Sequence, residues 1–162
     1  MKNIARMTIL ACLVLALTIP ATAVADGYDG SYKLVKRTLT DGTEIGSGDQ
    51  IMGFMTLANG WRNFHVTWME GETRVSIGMI AEYELSDEEY CETVHYWISN
   101  NAGAEGLTYE VPEGHAGCTT VTMEDGGHKF QFPGEPVVIV MSEDGFTATG
   151  EGVFVDTWER VD

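Results

Sequence analysis

Proline is scarce in this chain, at four residues in 162, and basic side chains are outnumbered by acidic ones, 9 against 25. The shortage of positive charge excludes nucleic acid and anionic membrane surfaces as partners, since both are held by Lys and Arg set against phosphates. The excess of acid, −16 overall, reads as colloidal solubility. No apolar period of 3.6 residues occurs after residue 25, which argues against a helical core. Serine-nucleophile motifs, phosphate loops and metalloprotease signatures are missing. So are linkers, low-complexity tracts and internal repeats, which leaves one domain.

Residues 1–25 read as an export signal. Lys2 and Arg6 open it, Met7 to Thr18 is apolar, and Ala23-Val24-Ala25 supplies small residues for cleavage before Asp26. Pro20 keeps the apolar run below the roughly 20 residues of a spanning helix, so the mature chain, 26–162, has no membrane span and is periplasmic or secreted. Ile9-Leu10-Ala11-Cys12 has the outline of a lipidation site, but apolar sequence continues well past it. Loss of Lys2 and Arg6 leaves seven bases against 25 acids, or −18.

Export removes Cys12, and the remaining pair, Cys91 and Cys118, favours a disulfide. Alternation puts both on the outer face, with Leu107–Val111 between their strands. At sheet spacing that separates them by about 9.6 Å, too far for a bond unless the middle strand has already ended. The bridge is therefore expected to strap one rim. A competing reading, His115-x-x-Cys118 as half a metal site, lacks a second ligand pair.

What the sequence does contain is a succession of short β-like runs: 32–39, 51–57, 61–70, 73–83, 91–99, 107–111, 118–123, 129–132, 136–141, 146–149 and 152–161. Turn chemistry divides them, with Asn59-Gly60 the strongest hairpin signal. Ser86 to Tyr90 offers a single helix-like start. The long final strand needs a partner, and pairing with the first would wrap the sheet on itself. An all-β, antiparallel up-and-down barrel of 8–10 strands is expected, with a sandwich as the alternative.

Period-2 alternation points Val75, Ile77, Met79, Ala81 and Tyr83 inward, together with Phe64, Val66 and Trp68. It does the same for Val94, Tyr96 and Ile98, for Leu107, Tyr109 and Val111, and for Val121, Met123, Phe130 and Phe132. His65, His95 and Trp97 then face outward, and His115 and His128 lie in or beside loops. Aromatics and methionines so placed either line a promiscuous apolar pocket or fill a core.

Asp29-Gly-Ser-Tyr-Lys-Leu-Val35 and Asp156-Thr-Trp-Glu-Arg-Val161 resemble the opening and closing strands of bacterial lipocalin-like (calycin) barrels. That family starts with Gly-x-Trp-x-Leu-Val and ends near Trp-x-Arg, with a basic residue packed over the first-strand Trp as a plug. The resemblance implies a structural role for Tyr32, which replaces that Trp, and for Trp158 and Arg160. An inward Asp156 would need Arg160 or a hydroxyl as partner. The resemblance also implies a small hydrophobic or amphipathic ligand in the barrel lumen, against Phe64, Trp68, Met79, Tyr96, Tyr109, Met123 and Phe132.

No cofactor or metal is expected: haem would want an inward His, and the acid–Gly turns lack calcium-loop spacing. Two other functions stay open. Glu92, aimed inward beside Val94 and Tyr96, would serve a barrel isomerase or lyase as general acid or base. Alternatively the barrel is filled and the protein acts through its outside, around Trp97.

Overall fold

The computed structural model describes residues 27–110 and 116–161. The export signal, its cleavage site, Val111 and His115 lie outside these. Among the described residues there are thirteen strands and no helix. The first half comprises β1 (Gly30–Leu39), β2 (Glu44–Gly46), β3 (Ile51–Ala58), β4 (Trp61–Glu70), β5 (Thr73–Leu85), β6 (Glu89–Asn100) and β7 (Leu107–Glu110). The second comprises β8 (Ala116–Thr120), β9 (Thr122–Glu124), β10 (Gly127–Gln131), β11 (Val137–Ser142), β12 (Gly145–Gly150) and β13 (Phe154–Arg160). The expected helical start at Ser86 is a side-chain turn instead: Ser86 Oγ accepts from the amides of Glu88 and Glu89, and the chain passes straight into β6. Asn59 and Gly60 have φ of 51° and 76°, the left-handed pair that turns β3 tightly into β4.

All strands join one antiparallel sheet, in the order β7-β6-β5-β4-β3-β1-β13-β12-β11-β10-β9. Its middle is the meeting of the two chain ends, Tyr32 opposite Arg160 through Leu39 opposite Phe154, with an irregularity between Leu34 and Lys36. The sheet is not closed, so the hydrogen-bonded ladder does not run unbroken round a barrel. Its borders are β7 and β9, and β8 pairs with β6 while β9 pairs with β10. β7 and β8 share one edge of β6 at different heights, β7 beside 97–100 and β8 beside 89–93. Cys91 and Cys118 are therefore direct cross-strand neighbours, and they are bonded. No strand separates them, which removes the distance problem that alternation raised.

The apolar faces of these strands turn to one core, built on Tyr32, Leu34, Ile51, Met55, Leu85 and Ile139. Alternation holds in β5, where Val75, Met79, Ala81 and Tyr83 are buried. Through the core runs a chain of rings: Tyr32 sits edge-on to Phe146 at 5.5 Å, Phe146 stacks on Trp158 at 5.1 Å, and Trp158 meets Phe64 at 5.8 Å. Gly53 on β3 is what lets the Trp158 indole lie against the sheet, since a Cβ there would stand 2.4 Å from Trp158 Cη2 and 3.0 Å from Leu34 Cβ. Gly53→Ala is accordingly expected to destabilise the fold by about 1–3 kcal/mol through overpacking. A urea midpoint equal to wild type would show that the indole has room to shift.

Alternation fails in β6. Ala81 pairs with Val94 and Ile80 with Tyr96, so His95 is an extra residue, a β-bulge. Beyond it every side chain changes face. Trp97 lies opposite the buried Met79, and Tyr96 opposite the exposed Ile80. Ile98 packs with His65 over the outer side of Gly78. The reversal passes on to β7, where Tyr109 pairs with Ile98 and is 70% exposed, and Leu107 is exposed as well.

Candidate functional site

Both ends of the β1–β13 seam are sealed by polar clamps. At the Gly30 end, Arg160 donates to the carbonyls of Asp29 and Gly27, and the Tyr32 hydroxyl donates to Tyr28 O at 2.7 Å. Asp29 accepts from the Asn59 amide at 2.9 Å and from Tyr83 OH at 3.2 Å. Tyr28 OH meets His128 Nδ1 at 2.6 Å, while His128 Nε2 lies 3.0 Å from Asp87 Oδ1. His128 is thus buried on β10 rather than in a loop. At the Leu39 end the partner of Asp156 is Arg37, through two bonds of 2.6 and 2.7 Å. The Arg37 guanidinium lies 4.0 Å over the Phe154 ring and 5.6 Å from Trp68. Burial nonetheless raises the Asp156 carboxyl above its ordinary value, against the pull of Arg37.

Between the clamps the interior is packed. The cavity enclosed by Met55, Arg62, Tyr83, Phe130 and Ile139 measures about 10 Å³, at the limit for one water molecule. The open space lies in the wall instead. A cleft of about 710 Å³ sits where β6 loses its pairing with β8, lined by Glu92, Val94, Trp97, Glu110, Pro133 and Glu135. A second groove, about 580 Å³, runs over the outer face past Trp61, Glu82, Glu84 and the disulfide.

Behind the first cleft is the most buried charge among the described residues. Arg62, on β4 and 2% exposed, donates from Nη2 to Glu92 Oε1 at 2.8 Å. Its Nε stands 2.8 Å from Glu92 Oε2 but off line, so that N–H makes no hydrogen bond. Nη2 also reaches Met79 Sδ at 2.9 Å, and the guanidinium lies 3.8 Å over the Phe132 ring. The Tyr90 hydroxyl donates to Glu92 Oε2. Burial holds that phenol well above its ordinary 10.0, opposed by Arg62 and aided by Glu92. Both Glu92 oxygens are thereby taken, and the role the geometry gives this acid is to neutralise Arg62. General acid–base chemistry would require Glu92 to release it.

Glu135, in the turn before β11, has its Oε1 3.9 Å from Arg62 Nη2. Burial raises its carboxyl above the ordinary 4.5, with Arg62 opposing and Glu92 adding to the rise. The folded state therefore binds this proton more tightly than the unfolded chain does. Its contribution to stability is complete below the ordinary value and is lost as pH rises through the folded one. Glu135→Gln is expected to lose less stability than wild type between about pH 4 and about pH 7, and to be the more stable of the two at the upper value. Urea midpoints at both pH values check this, and parallel curves would contradict it.

Of the seven residues expected to surround a ligand, Phe132 and Met79 are buried around Arg62, and Phe64 and Trp68 pack against the core. Tyr96 faces outward because of the bulge, Tyr109 is exposed for the same reason, and Met123, on the border strand β9, is 61% exposed. Trp97 moves the other way, from the expected outer surface into the cleft. His65 and His95 are exposed as expected. A grouping of Glu89, Cys91 and Cys118 comes within 4.8 Å, but its two sulfurs are bonded to each other and offer no thiolate. Among the described residues no helix is long and apolar enough to cross a membrane.

Comparison with protein-family models, with curated proteins and with solved structures finds no match for this chain. The likeness to lipocalin-like barrels therefore rests on the two end motifs.

Proposed function

We propose that the protein is an exported, lipocalin-like barrel that captures one small amphipathic molecule, in the wall cleft beside β6 rather than along the axis. The observation that carries this reading is the cleft itself, about 710 Å³ with Trp97 on its wall, the size and mixed character of a small-molecule site. Ring closure is supported by the stretch 116–124, which pairs with β6 through β8 and with β10 through β9. Val121, buried between the two, forms the corner. The Arg62–Glu92 pair makes a neutral, rigid floor, and export agrees with the disulfide.

Native mass spectrometry of the protein purified from its own host tests this. A co-purifying small molecule is expected on the wild type and missing from a folded Trp97→Ala variant. Bare protein in both preparations would remove the reading.

A second reading is favoured by the packed interior and by the outer face. Phe54, His65, Gly78, Ile98 and Tyr109 are successive cross-strand neighbours over five strands; Phe54 is half exposed and Tyr109 largely so. On this reading the protein is an interaction module whose partner covers that row. Paired Phe54→Ser and Tyr109→Ser changes would then abolish its activity in the host, while Trp97→Ala would leave it intact.

A further inference from the structure

The charge arrangement of the wall cleft goes one step beyond its use as a binding site, to the chemistry of the occupant. Among the described residues, three carboxylates line it, those of Glu92, Glu110 and Glu135, and no basic side chain does. One cation lies behind it, and that cation is committed: Arg62 is engaged by both oxygens of Glu92 at 2.8 Å and stands 3.9 Å from Glu135. Glu110 makes no ion pair among the described residues. The site therefore keeps an excess of negative charge beside a wall of low polarity formed by Trp97, Val94 and Pro133. Burial already disfavours the charge on Glu135, as expected of an acid that lacks a full counter-charge. An anionic guest would add repulsion to this, and a neutral one would leave the excess in place. A positive head group would relieve it, and its tail or its charge would find the indole face. The bulge at His95 contributes the indole by turning Trp97 to the side on which Glu110, its β7 neighbour, also lies.

We propose that this cleft selects an organic cation, an amphipathic amine or ammonium compound whose head lies between Glu110 and Glu135 and whose apolar part lies on Trp97. The inference rests on the cleft being a binding site, and its test separates the two. Three probes share one phenylpropyl tail and differ only in head group: 3-phenylpropylamine, 3-phenylpropanol and 4-phenylbutyrate. They are titrated into the full mature protein at fixed ionic strength and followed by calorimetry.

The amine, protonated at neutral pH, is expected to bind at least about tenfold more tightly than the alcohol, with the carboxylate weakest. Glu110→Gln combined with Glu135→Gln should remove that advantage, bringing the amine to the affinity of the alcohol. Glu82→Gln with Glu84→Gln, in the other groove, should leave all three probes unchanged. Equal affinity for amine and alcohol, tighter binding of the carboxylate, or an equal loss from the Glu82 and Glu84 changes would overturn the choice of cation while the cleft still bound the tail. Binding of none of the three would sink the binding-site reading together with this inference.

Discussion

Arg62→Ala will destabilise the protein by about 3–5 kcal/mol, the range measured when one member of a buried ion pair is removed and the other is left uncompensated. The loss has two parts. Glu92 keeps a carboxylate 4% exposed with only the Tyr90 hydroxyl to satisfy it. Phe132 loses the cation stacked on its ring at 3.8 Å, and the space vacated by the guanidinium joins a cavity of about 10 Å³. Arg62→Lys is not a mild alternative, since a single ammonium cannot reach both Glu92 oxygens, Met79 Sδ and the Phe132 face together. Arg62→Met combined with Glu92→Gln is expected to recover much of the loss, because a neutral pair of similar volume carries no buried charge. Equilibrium urea unfolding of the three variants checks this. A loss below about 1 kcal/mol in Arg62→Ala would mean that water reaches the pair from the cleft and screens it.

Cys91→Ser with Cys118→Ser is the second large effect. The bond spans 27 residues of sequence, for which the chain-entropy relation gives about 3–4 kcal/mol of stabilisation. Dithiothreitol on the wild type should reproduce the shift. The structure also says where the loss will appear first. β8 has β6 as its ladder partner and meets it over five residues, so releasing the bond frees the strand that borders both clefts. Hydrogen exchange is expected to accelerate in 116–121 at low denaturant, while the amides of the β1–β13 ladder keep their protection. Uniform acceleration across both regions would instead mean that the bond stabilises the fold only as a whole.

Much of the architecture is legible in the residues because strand period and turn chemistry are local. Asn59-Gly60 marks its hairpin without reference to anything distant, and the inward set of β5 follows from parity alone. The pairing of the first strand with the last is also borne out, since an unpartnered β-rich terminus leaves few solutions. Parity breaks at His95, where nothing in Thr-Val-His-Tyr-Trp announces an added residue. β6 makes ten pairs with β5 while its other edge passes from β8 to β7, and the bulge falls at that change of neighbours, a tertiary feature. One residue of slip then misplaces Tyr96, Ile98 and Tyr109 and hides Trp97.

Two polar residues inside the fold were within reach. Arg62 is in phase with Phe64 and Val66, and His128 with Phe130 and Phe132; each lies two residues ahead of an apolar set whose inward direction is plain. Carrying the period on to those strand beginnings finds both. Glu135 is different. It sits in a Pro-Gly-Glu-Pro turn with no period to extend, and only the distance to Arg62 reveals it.

A ribosome delivers this polypeptide from its amino end, yet the partner that completes the ladder for Gly30–Leu39 is Phe154–Arg160, made after every other described strand. The opening strand has β3 available early, but its other edge stays bare until β13 is made. Covering of that edge thereby waits for β13, and deletion of 154–160 would leave an apolar hairpin array with an open flank, prone to self-association.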